Sequence, residues 1–324
     1  MVASIPSFRD LYHQIRAYQR RAEHEHVYEE VLLPWQNQAL EALSVLQVYG
    51  ALEAWTWTSD QPDPCNGGDS SYYSCRECLY AFSRISDLLL LPQQHVWDFL
   101  HPPLPHWAPE SVANHLGWMS DQGFPPPTPS ISLEERNAWL RGLGLTEIEH
   151  PTFHPFYHEI VEVEQAPDPD EPIQLLQTLW PGFFLGQMLF CRAGVRVRAG
   201  ERVAHKDLAE HSRLYWAFWR NNRPAVDRSH GWGHNSQWST DFRRDYVDDE
   251  AYYYNVDGEE DIHEEWTGSP GEPNDHGDPR LTLPMRIELL TNRCFIRTPE
   301  RFFSEGFDNV TYQEPKEATL DAGA

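Results

Sequence analysis

The chain predicts an α+β protein: a helical N-terminal region followed by a mixed, mainly antiparallel sheet region with short helices. Three observations predict it. Before residue 100, apolar residues recur at helical spacing. Prolines then cluster at Pro102–Pro105 and Pro125–Pro129 and interrupt regular structure. Beyond residue 150 the pattern changes to short alternating runs and turn dipeptides, among them Glu159–Glu164 (EIVEVE) and Asp257-Gly258. The expected organisation is a helical region over 1–100, a Pro-rich connection with a short helix over 101–150, an α+β region over 151–310 and a flexible tail over 311–324.

Each element has its own warrant. Ser7 can cap a helix whose apolar positions are Phe8, Leu11, Tyr12, Ile15 and Tyr18. Pro34 marks a break, and a second helix carries Ala39, Leu40, Leu43 and Leu46 on one side. Cys75–Leu91 reads as a third helix and Gln93–Leu100 as a fourth, with Pro92 between them. Ser132-Leu133-Glu134-Glu135 is a capping-box pattern that opens a helix through Trp139 to Leu143. In the second half, Glu159–Glu164 alternates as a half-exposed strand, and Ile173–Trp180 reads as a short helix ended by Pro181-Gly182. Phe183–Phe190 and Val195–Ala204 read as strands, the latter turning at Ala199-Gly200. Lys206–Arg220 reads as a helix. Tyr252–Val256 followed by Asp257-Gly258 gives a hairpin signal, and Thr282 and Pro284 open a last helix through Leu290.

Composition narrows the function classes. At 324 residues the chain exceeds the usual span of one hydrophobic core, and thirteen tryptophans argue against global disorder. Fifty acidic residues against 25 basic ones give a net charge of −25, which repels nucleic acid and anionic membranes and favours a basic partner. From Asp245 to Pro279 there are thirteen acids and no lysine or arginine, whereas Arg192, Arg196, Arg198 and Arg202 cluster around an expected hairpin. These two patches are expected to be able to satisfy each other within one fold. The first residues, MVASIPSFRDLYHQ, lack the basic start and apolar run of a signal peptide. The longest aliphatic run, Leu88–Leu91, is far short of a membrane span. Five cysteines are too few and odd in number for a secreted disulfide framework. The expectation is a cytoplasmic protein.

Several motifs invite a metal. Cys65, Cys75 and Cys78 form C-x9-C-x2-C, half of a zinc site, whose fourth ligand would come from Cys191, Cys294 or a histidine. Unliganded thiols are the bland alternative. His24 and His26 are two apart in an expected helix and point to opposite sides. His150, His154 and His158 recur every four residues, but Pro151 and Pro155 push the residues before them into extended geometry. Positions four apart in an extended chain lie roughly 13 Å apart, too far to share an ion. Tyr253–Glu264 nearly fits a calcium loop but begins on a tyrosine and follows a strand. Gly231-x-Gly233-x-x-Ser236 lacks both the third glycine and the buried strand of a dinucleotide fingerprint.

The densest chemistry lies in Ser229–Asp245 (SHGWGHNSQWSTDFRRD), which contains no aliphatic residue. His230 and His234 are suited to general acid/base work or metal binding, with Asp241 or Asp245 to orient an imidazole. Arg243 and Arg244 suit paired hydrogen bonds to a carboxylate or phosphate, and Trp232 and Trp238 suit stacking on a sugar or base. Asn235 and Gln237 complete the candidate ligand-binding set. The bland alternative is a loop whose arginines pair with the acidic run. The leading expectation is an acidic binding protein engaging a basic protein partner, inhibitor-like or immunity-like. One alternative is an enzyme acting on a polar small molecule or sugar at 229–245; another is a zinc-stabilised structural protein.

Overall fold

A computed structural model describes residues 8, 11–12, 14–15, 26–51, 74–90, 130–210, 244–256, 258, 260–264, 282–292 and 310–316. The fold is α+β. Phe8, Leu11, Tyr12 and Ile15 are helical and buried, an i, i+3, i+4, i+7 stripe. A π-helical turn at Tyr28–Leu32 leads through Pro34 into α1 (Gln36–Leu46), which buries Ala39, Leu43 and Leu46 but leaves Leu40 exposed. Helix α2 (Ser74–Leu90) buries Leu79, Phe82, Ile85 and Leu89. Helix α3 (Leu133–Gly142) starts on the expected capping box: the Glu135 N–H donates to Ser132 Oγ, and the Ser132 N–H donates back to the Glu135 carboxylate.

The strands are β1 (Thr146–Glu147), β2 (His158–Gln165), β3 (Gln174–Trp180), β4 (Phe183–Leu185), β5 (Met188–Cys191), β6 (Ala193–Ala199), β7 (Tyr246–Val247), β8 (Ala251–Tyr254), β9 (Glu260–Asp261) and β10 (Val310–Pro315). Helix α4 (Leu283–Thr291) precedes β10. Seven strands form one sheet in the order β1-β4-β5-β7-β8-β10-β9, and β2-β6-β3 form a second. Alternation along the large sheet feeds two cores. Phe183, Leu185, Met188, Phe190 and Tyr246 join the core built by the N-terminal helices, while Phe184, Leu189, Val247 and Tyr252 join a core with α4 residues Ile287 and Leu290. Phe82 links helices to sheet, with its ring centroid 4.4 Å from both Phe8 and Phe190. A third core, with Val195 and Val197, packs the small sheet against helical residues 206–210.

Four expectations are corrected, the first being the flexible tail over 311–324, whose residues 311–315 lie in β10, paired with β8 and β9. Ile173–Trp180 is not a helix; its residues 174–180 are β3, antiparallel to β6. The register skips Leu176 and Leu179, so two bulges break the alternation and leave apolar residues at helix-like spacing. Phe183–Phe190 is not one strand but a hairpin, β4 and β5, folded at Gly186, whose φ is +60°. Asp257-Gly258 does not close a hairpin between β8 and the next strand. Strand β10 pairs with β8 on one side and lies parallel to β9 on the other, so the chain leaves β8 through Asn255, at φ +51°, and a turn closed by the Gly258 N–H on the Asn255 carbonyl.

The arginine cluster also finds other partners than the acidic run as a whole. Arg196 faces Glu162 and Glu164, Arg198 faces Glu164 and Glu171, and Arg202 faces Asp170. Among the described residues, only Arg192 of this cluster reaches the run, at its first residue, Asp245. No helix among the described residues is long and apolar enough to cross a membrane.

Candidate functional site

Of the residues singled out in Ser229–Asp245, His230, Trp232, His234, Asn235, Gln237, Trp238, Asp241 and Arg243 lie outside the described residues, as does Cys65. Arg244 and Asp245 are described, and both are buried. Asp245 accepts from Arg192 Nη2 at 3.1 Å and from the Asn255 N–H at 2.8 Å, and Arg244 Nη1 lies 3.3 Å from the Tyr246 hydroxyl. Their positions pin β7 to β5 and to the exit of β8. Cys75 and Cys78 stand in the first turns of α2, three residues apart. Among the described residues no group of three histidine, cysteine, aspartate or glutamate side chains is arranged to hold a metal ion.

The structure instead gathers a site that the sequence pattern concealed. The segment His150–His158 does not run straight. After Pro155 the chain turns, and the His154 carbonyl accepts the N–H groups of Tyr157 and His158. The ring centroid of His150 thereby comes to 6.0 Å from that of His154 and 5.9 Å from that of His158. The extended spacing expected from Pro151 and Pro155 fails on both sides of the second proline, because the chain also bends at Pro151 and Thr152. A readable clue was the doubled phrase His-Pro-Thr-Phe, His-Pro-Phe-Tyr, since paired prolines punctuate a turn as readily as an extended run.

Hydrogen bonds orient each ring. His150 Nδ1 donates to the Thr152 carbonyl at 2.7 Å, because a carbonyl can only accept. His154 Nδ1 accepts the Phe156 N–H at 3.1 Å, and His158 Nδ1 accepts the His154 N–H at 3.0 Å. Both of these rings are therefore neutral. Burial first, and then the neighbouring His150, push His154 and His158 down to about 4. Aromatic faces complete the packing: His150 stacks on Tyr157 at 4.4 Å and His154 on Tyr252 at 4.5 Å.

Beside this cluster lies a cleft of about 380 Å³, lined by Ile148, Glu149, His150, Tyr157, Phe184, Gln187, Val247, Asp248, Asp249 and Lys316. Its floor is aromatic and apolar, because Phe184 and Val247 are the residues of β4 and β7 that point away from the N-terminal helices. Its rim is mainly acidic. Asp248 is committed to structure: Oδ1 accepts the Glu250 and Ala251 N–H groups, and Oδ2 accepts the Tyr253 hydroxyl at 2.8 Å. Burial opposes its ionisation, but these donors and nearby Lys316 outweigh that and hold its carboxyl below the usual range. Burial, followed by the Asp248 carboxylate, pushes the Tyr253 phenol up to about 12. Lys316 Nζ donates to the Asp248 carbonyl and lies 5.2 Å from the centre of the Tyr252 ring. Glu149 and Asp249 are exposed on the rim.

No protein family, curated protein or solved structure matches this chain. The functional reading rests on the cleft itself.

Proposed function

We propose that this chain is a cytoplasmic acidic binding protein that receives a lysine or arginine side chain of a basic protein partner in the cleft, in the manner of an inhibitor or immunity protein. The observation that carries this reading is the pairing of exposed Glu149 and Asp249 with an aromatic floor of Tyr157 and Phe184. A cation is favoured both by the carboxylates and by the ring faces, and partial desolvation in a cleft strengthens both. Arg196, Arg198 and Arg202 are occupied by nearby acids, so they leave the rim charge standing. A net charge of −25 adds long-range steering toward a basic target.

The test is calorimetric titration of the full chain with a hexa-arginine peptide. Glu149→Lys with Asp249→Lys is expected to weaken binding at least tenfold. Glu30→Lys with Glu41→Lys, exposed sites on the N-terminal helical region, makes the same net-charge change and is expected to weaken it less than threefold. Equal losses in the two pairs would reduce the interaction to general charge attraction and overturn the cleft reading.

A second reading, an enzyme acting on a polar small molecule, draws on one feature. His150 lines the cleft with its ring oriented by the hydrogen bond from Nδ1 to the Thr152 carbonyl, the placement that acid–base work needs. Under that reading His150→Gln abolishes turnover of a polar substrate without weakening hexa-arginine binding.

A further inference from the structure

His154 and His158 tie the 150–158 turn together only as neutral rings. An imidazole nitrogen that accepts a backbone N–H carries no proton, and adding one sets two N–H groups against each other. Protonation therefore breaks the bond from Phe156 N–H to His154 Nδ1, or that from His154 N–H to His158 Nδ1. Charged and titratable groups surround the rings. On the same segment stand His150 and Tyr157; Arg192, between β5 and β6, donates to the Pro155 carbonyl; Tyr252 faces His154 from β8; Lys316 follows β10. Arg192 and Lys316 are cations already. Asp245 and Asp248 are engaged by Arg192 and Asn255 and by the 250–253 turn, and Glu149 and Glu159 flank the histidine segment in sequence.

We propose that the His150–His158 turn is an acid-released latch on the cleft: protonation of His154 or His158 frees the turn, withdraws Tyr157 and His150 from the cleft wall and ends binding of the basic partner. The loss of binding rests on the function proposed above; the latch itself does not. The direction follows from linkage. Latched, both rings titrate near 4; released, they return to about 6.5. Above 6.5 both forms are neutral and the latch stays closed. Between 6.5 and 4 the released form takes up protons that the latched form refuses, so the released fraction rises by about tenfold per pH unit for each histidine. Below 4 the dependence ends.

Amide hydrogen exchange on the full chain tests this without any ligand. Between pH 7.5 and 5.0, after correction for intrinsic exchange, protection of the His154 and Phe156 amides is expected to fall at least tenfold more than that of Val195 and Val197 in β6. Equal falls at all four would mean general acid unfolding, and no fall at 154 and 156 would mean no latch; either overturns the proposal. His154→Asn with His158→Asn keeps an acceptor near each Nδ1 position that takes no proton, and is expected to abolish the pH response. A persisting response in that variant overturns the assignment to these rings. If the variant does not fold, the wild-type exchange profile alone decides. Hexa-arginine binding then separates the two claims. Binding at pH 7.5 but not at 5.0 supports the coupling, and equal binding at both overturns it. No binding at 7.5 refutes the function proposed for the cleft while leaving exchange to judge the latch.

Discussion

Asp245 illustrates how a residue chosen for chemistry can turn out to hold architecture. Its side chain is 3% exposed, and it is shared between Arg192, itself 13% exposed, and the Asn255 amide. Through Arg192 it also reaches the Pro155 carbonyl, and so the histidine turn. Breaking one side of such a pair leaves a buried charge without compensation, a cost of about 3–5 kcal/mol. Asp245→Ala is therefore expected to lower unfolding free energy by about that amount in urea denaturation. A loss comparable to that of an ordinary surface substitution would show that the Arg192 charge finds another partner. In sequence, Asp245 and the exposed Asp249 are alike, two acids in one acidic run. Nothing local distinguishes the structural carboxylate from the available one, because the difference lies in Arg192, more than fifty positions away.

At the scale of elements, local rules succeeded where the deciding contacts are local. The capping box at Ser132 is closed within four residues, and α3 begins where the pattern says. Ser132→Ala removes the acceptor for the Glu135 N–H and is expected to cost about 1 kcal/mol, again measured by urea denaturation. A cost near zero would mean that tertiary packing alone holds this end of α3. Strand β3 shows the opposite case. Its residues, Gln-Leu-Leu-Gln-Thr-Leu-Trp, carry apolar groups at helical spacing, but β6 offers an unpaired edge. Pairing with that edge satisfies the backbone and seats Trp180 in the core, while two bulges absorb the extra leucines and leave Leu176 44% exposed. The 150–158 turn belongs to the same class, since a proline restricts only itself and the residue before it, leaving Phe156 and Tyr157 free to turn.

For the whole molecule, the large sheet is filled from both faces, and the docking of the N-terminal region can be tested at one point. Gly186, at φ +60° in the β4–β5 turn, lies against the backbone of Gly50, whose carbonyl accepts the Gln187 N–H. A Cβ at 186 would collide with that backbone as well as strain its own, so Gly186→Ala is expected to cost about 1–3 kcal/mol. A loss of less than about 0.5 kcal/mol in urea denaturation, the scale of a surface change, would show that the two segments are not held there. The sequence by itself determined the α+β class, the helical start and the change to sheet beyond residue 150, because periodicity is a property of neighbouring residues. It also determined the strong negative charge, which is a sum and needs no fold. Tertiary structure alone decided which acids stay free, since Arg196, Arg198 and Arg202 take Glu162, Glu164, Glu171 and Asp170 and leave Glu149 and Asp249 on the cleft rim. It alone brought His150, Tyr157, Asp249 and Lys316 around one cleft, because residues more than 150 positions apart become neighbours only when β4, β7 and β10 join one sheet.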